Sequence, residues 1–151
     1  MSLMNRQQFE QLRNLTGKRI TVDIEFQEDA KTIPNLVFGG VKVENTGGLE
    51  IVLNGTYRPQ IGSVTYNFVQ VGIGPVCRID VNGTIHGSAG RTHKHEMRQE
   101  SDCSSRKNLP YAFARPELID MTPRGVWELL CEEARIAHMG NFIDPPMEEQ
   151  A

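Results

Sequence analysis

Three of the four histidines, His86, His93 and His95, fall within ten residues. Read as a strand, the period of two puts Arg91, His93, His95 and Met97 on one face and Thr92, Lys94, Glu96 and Arg98 on the other. In the preceding stretch Cys77, Ile79 and Val81 are apolar, so Arg78 and Asp80 project the opposite way. If the two stretches are neighbouring strands, Arg78, Asp80, His93 and His95 share one surface, and His86 follows the turn that joins them. Two chemistries suit such a set. One is a divalent transition-metal site, with His86, His93 and His95 as ligands and Asp80 or Glu100 completing the shell. The other is metal-free acid–base work. Histidine exchanges protons near neutral pH, Asp80 would fix a tautomer, and Arg78 or Arg91 would hold an anionic phosphate. That second set suits a hydrolase acting on a phosphate-bearing substrate. The plainest alternative is a polar sheet face held by structural hydrogen bonds.

The elements around these residues point to an α+β fold. A short helix is expected over Asn5–Leu15, with Phe9, Leu12 and Leu15 at near-helical spacing, Asn5 and Gln8 as a capping pair, and Gly17 at its end. Ile20, Val22, Ile24 and Phe26 alternate with polar residues, which predicts one strand over Lys18–Gln27. Leu36–Val43 reads as a strand bulged at Gly39-Gly40. Asn54-Gly55 and Asn82-Gly83 carry the signal of hairpin turns. Ser63–Val71, Val76–Val81, Thr84–His86 and Arg91–Arg98 complete an antiparallel curved sheet or partial barrel. Thr122-Pro123 opens a C-terminal helix whose side Val126, Trp127, Leu130 packs on the sheet, either on Ile20, Val22, Ile24 and Phe26 or on a neighbouring strand. Gly140 is expected to end that helix, with Cys131 near its wet side and His138 in its last turn, where the dipole favours a cation. One domain is expected over residues 4–140, an acidic frayed tail over 141–151, and vector residues at 1–3.

The chain has 151 residues and a net charge of −3, which disfavours a protein whose main task is to grip nucleic acid. Its three cysteines, Cys77, Cys103 and Cys131, are odd in number and widely spaced, so a disulfide framework is not expected. Reduced thiols, no bilayer-spanning apolar run and no secretory signal together predict a cytoplasmic protein. Cys77 falls on the apolar face, Cys103 lies in a polar loop, and Gly72-x-Gly74 is not followed by a helix and so makes no phosphate loop.

Two resemblances bear on function. The run Arg78-Ile79-Asp80-Val81-Asn82-Gly83-Thr84-Ile85-His86, followed by Thr92-His93-Lys94-His95, resembles an R-x-D-x-x-G-x-x-H … H-x-H pattern of small bacterial proteins of unknown function. It implies a bacterial or phage-borne protein and brings no established activity. Gly87–Glu100 is similar to the first half of the first cupin motif, with Lys107 where a glycine would follow and no second motif downstream. The function expected is therefore either the hydrolase above or a non-catalytic binding or regulatory protein, as from a mobile element, with a small-molecule or protein partner.

Overall fold

The computed structural model describes residues 6–82, 90–95, 112–119 and 121–146, with the side chains of Arg6, His95, Ala112 and Phe113 left out. Alternation of apolar and polar residues builds most of it. Four eight-residue strands, β4 (Leu36–Val43), β5 (Ile51–Arg58), β6 (Ser63–Gln70) and β7 (Gly74–Val81), pair antiparallel in chain order. Short strands β8 (His93–His95) and β9 (Ala112–Ala114) extend the sheet at one side and β3 (Gln27–Glu28) at the other, giving a seven-stranded antiparallel sheet that stays open. Helices α1 (Arg6–Asn14) and α2 (Pro123–Ala134) complete the α+β fold expected from the sequence. No helix among the described residues is long and apolar enough to cross a membrane.

One face of the sheet makes the core. Leu53, Tyr57, Tyr66, Phe68 and Ile79 join Phe9 and Leu12 of α1 and Val126, Trp127 and Leu130 of α2 in one buried cluster. Trp127 packs on Tyr66 and Phe68 of β6, which stands three places from β3 in the sheet. Its ring meets Tyr66 edge-on at 5.7 Å and stacks on Phe142 at 6.2 Å. The Tyr66 hydroxyl donates to the Pro123 carbonyl at 2.7 Å, tying the sheet to the start of α2. That start is the one expected: Thr122 caps it by accepting from Gly125 N–H at 3.1 Å, and Pro123 follows.

Several expectations are corrected. Lys18–Gln27 is not one strand. It breaks into β1 (Arg19–Ile20), β2 (Ile24–Glu25) and β3, because the chain changes partner twice. β1 pairs in parallel with β10 (Ala137–His138), β2 pairs in parallel with β11 (Phe142–Ile143), and β3 pairs with β4. Between them Val22 is 51% exposed while Ile20 and Ile24 are buried. Asn54-Gly55 is no turn but mid-strand in β5, and Gly55 is needed there for space: a Cβ would stand 2.2 Å from the Phe38 ring. The bulge at Gly39-Gly40 is present, as expected. Helix α2 ends at Ala134, capped by Arg135 in the left-handed region (φ 56°), not at Gly140. Gly140 serves a close approach instead, since a Cβ there would lie 2.3 Å from the Val22 carbonyl oxygen. Cys131 is buried rather than wet, and burial, with Glu128 adding, pushes its thiol up to about 12. His138 sits on β10, accepting from Trp127 Nε1 at 3.0 Å and lying 2.9 Å from the Val22 carbonyl. The chain does not fray directly after Gly140, because Phe142 is buried and paired. Residues 1–5, the strand expected at Thr84–His86, the continuation to Arg98, Cys103 and residues 147–151 lie outside the described residues.

Candidate functional site

The sheet face opposite the core carries two polar rungs. Register aligns Thr56, Thr65, Asp80 and His93 across β5, β6, β7 and β8 in one rung. The next rung is Asn54, Asn67 and Arg78, with His95 of β8 opposite Arg78 in the backbone register. Period two builds both, because Leu53, Gly55, Tyr66, Phe68 and Ile79 turn inward and the residues between them face out. β7 and β8 are neighbours, the condition under which the sequence reading put these residues on one surface, and Arg78, Asp80 and His93 meet there.

Asp80 is the hub. Its side chain is 3% exposed and accepts from the Thr65 hydroxyl at 2.7 Å. The Arg78 guanidinium grips it with two donors, Nε to Oδ2 at 2.9 Å and Nη2 to Oδ1 at 3.1 Å. Such a fork fixes a guanidinium in plane and direction. His93, 1% exposed, places Nε2 3.2 Å from Asp80 Oδ2 and Nδ1 3.1 Å from the Gly90 carbonyl. A carbonyl only accepts, so Nδ1 is the donor in that contact. Thr92, beside it, accepts from Asn82 N–H at 3.1 Å and holds the entry to β8 against the end of β7.

Arg78 remains 46% exposed, and it lines a groove of about 260 Å³ together with Asn54, Thr56, Arg58, Thr65 and Asn67. Two arginines thus share a groove whose other walls are uncharged amides and hydroxyls. The Asn54 oxygen accepts from Gly40 N–H at 3.0 Å, so the β4 bulge sets its amide. The Asn67 oxygen is buried and has no hydrogen-bond partner among the described residues.

The other expected site residues divide. Arg91 is exposed and makes no ion pair among the described residues. His95 stands opposite Arg78 in the register. His86 and Glu100 lie outside the described residues. Among the described residues no group of three His, Cys, Asp or Glu is placed to hold a metal. Both His93 nitrogens face an oxygen, so ligation by this ring requires the loss of Gly90 or Asp80 as its neighbour. Sequence reasoning missed Asn54, Arg58, Thr65 and Asn67. Alternation put Thr65 and Asn67 on the polar face of their strand, but only the register brings them beside Asp80 and Arg78. No known family model matches the chain, and no curated protein or solved structure is significantly similar to it.

Proposed function

We propose that this chain binds a phosphate-bearing anion in the groove on the outer sheet face, with Arg78 and Arg58 as the charged contacts. The observation that supports this most is the setting of Arg78. Asp80, itself fixed by Thr65 and flanked by His93, holds two of its five N–H groups, and the rest of a half-exposed guanidinium is left beside an open groove. An arginine already ordered loses little freedom when it meets a phosphate oxygen. Arg58 adds a second positive charge on the same groove.

Binding leads over hydrolysis because His93 is buried and both its nitrogens are engaged, which suits positioning better than proton exchange with a substrate. Hydrolysis is the second reading, favoured by the place of His95 opposite Arg78. The odd number and wide spacing of the cysteines support a reducing, cytosolic setting.

The test is calorimetric titration of the purified chain with inorganic phosphate and pyrophosphate, repeated with Arg78→Ala. Saturable binding that weakens at least about tenfold in the variant is expected, a loss of ~1.4 kcal/mol. Binding unchanged by Arg78→Ala, or none at all, would sink the reading. Turnover of p-nitrophenyl phosphate that disappears in His95→Ala would move hydrolysis ahead.

A further inference from the structure

We infer that the anion taken by this groove carries two phosphate groups, one held by Arg78 and the other by Arg58, an inference that rests on the anion-binding reading above. Both arginines line the groove, and no carboxylate lines it with them among the described residues.

The two guanidinium groups are held differently. Arg78 donates from Nε and Nη2 to Asp80, two residues on in its own strand. That fork carries its head one rung along β7, onto the row of Thr56, Thr65 and Asp80. Its Nη1 has no partner among the described residues. Arg58 stands on β5 one rung beyond Thr56, opposite Ser63. It is exposed, and its side chain makes no hydrogen bond or ion pair among the described residues. Arg78 therefore leans toward the end of the sheet from which Arg58 rises.

Sheet spacing sets how far apart the two stand. β5 and β7 flank β6, so two strand spacings of about 4.8 Å lie between them, and one rung along the strand adds about 6.7 Å. Arg58 thus leaves the sheet about 12 Å from the row where Arg78 is held. A guanidinium meets a phosphate best with two parallel N–H donors. One phosphate on the fixed Arg78 would leave Arg58 to lean across two strands to share it. A second phosphate on the same ligand shortens that reach and gives each guanidinium its own pair of oxygens. Thr56 and Thr65, which line the groove between them, carry no charge, and the Thr65 hydroxyl is turned to Asp80. The volume of about 260 Å³ suits one small ligand that joins its two phosphates through a neutral or bridging centre.

The experiment titrates the full chain by calorimetry at an ionic strength of about 0.15 M, where exposed charges more than ~8 Å apart are largely screened. Two ligand pairs are used: inorganic phosphate against pyrophosphate, and fructose 6-phosphate against fructose 1,6-bisphosphate. In at least one pair the two-phosphate member is expected to bind about tenfold more tightly. A preference within the first pair supports adjoining phosphates, and one within the second supports phosphates held apart. Arg58→Gln should bring the ratio within that pair to about one. Lys42→Gln removes an equal charge from an exposed residue of β4 that does not line the groove, and should leave the ratio as it is. Native Trp127 emission checks that each variant is folded. Equal affinity within both pairs overturns the inference while the anion site stands. So does a ratio that survives Arg58→Gln, or one that falls as far in Lys42→Gln. Binding of none of the four ligands overturns the anion site and the inference together.

Discussion

Asp80 is where the outer face is won or lost. One carboxylate serves Thr65, Arg78 and His93 from a position closed to water. Charged groups out of water tolerate loss of a partner poorly, because the remaining charge has neither solvent nor counter-ion. Asp80→Ala is expected to lower stability by about 3–5 kcal/mol, read from urea melts, and to lower phosphate affinity with it because Arg78 loses its fork. Arg78→Ala takes the fork from that carboxylate and is expected to lower stability as well as affinity, by less than Asp80→Ala because Thr65 and His93 stay beside Asp80. Urea midpoints unchanged in both variants would make Asp80 a peripheral group. Arg78, Asp80 and His93 were legible in the sequence because alternation alone sorts side chains to faces. The amides and hydroxyls beside them were not, because alternation says nothing of which strands pair or in what register. Asn54 was actively misleading: an asparagine before a glycine signals a turn, and here the glycine makes room for the Phe38 ring.

At the scale of elements, the question is what holds β8 and α2 together, since β8 carries His93. Lys94, on the opposite face of β8, reaches Glu133 of α2 at 2.6 Å. Arg115, just past β9, grips the same carboxylate with Nη1 at 2.9 Å and Nη2 at 2.6 Å, and also meets Glu117. Burial works to raise the Glu133 carboxyl, but the hydrogen bonds and charges of Arg115 and Lys94 outweigh it and hold the group at about 2. A carboxyl depressed in the folded state contributes stability that is complete above its ordinary value of 4.5 and is lost as pH falls from there through about 2. A shift of this size corresponds to about 3 kcal/mol at most, and partial exposure trims it to on the order of 2. Urea midpoints of the wild type should therefore fall between pH 4.5 and 2 more steeply than those of Glu133→Gln. Parallel pH curves for the two proteins would mean that this triad does not hold α2 to the sheet edge. The start of α2 was readable because a threonine cap and a proline act locally. Its end was not, because Arg135 takes a left-handed cap that residue type does not announce and a tertiary contact explains Gly140.

Over the whole molecule, the two ends of the described chain close on each other. β1 and β2, which follow α1, pair in parallel with β10 and β11, which follow α2. Antiparallel hairpins are local, so alternation marks strands between β4 and β7, although the turn signal at Asn54-Gly55 falls inside β5. Parallel pairing between segments more than a hundred residues apart leaves no such local mark, and it broke the one strand that looked most certain. Phe142 is the pivot of this closure. It is buried against Phe26 at 6.1 Å, Tyr66 at 6.5 Å and Trp127 at 6.2 Å. Its carbonyl accepts from Arg124 Nη2 at 2.7 Å, and Arg124 also pairs with Asp144 at 2.9 Å. The rings it touches come from the N-terminal strands, the sheet and α2, so one side chain joins three parts of the core. Phe142→Ala is expected to cost about 3–5 kcal/mol, a large share of the ~5–15 kcal/mol that holds an ordinary domain. Ile143→Ala, one residue on and exposed, is expected to stay within about 0.5 kcal/mol. Urea melts followed by Trp127 emission read both, because Trp127 stacks on Phe142 and should shift to the red as the segment leaves. Equal midpoints for the two variants would mean that the segment after α2 lies on the fold without closing it. In that event the register of β1 and β2 would have to be set by α1 and β4 alone.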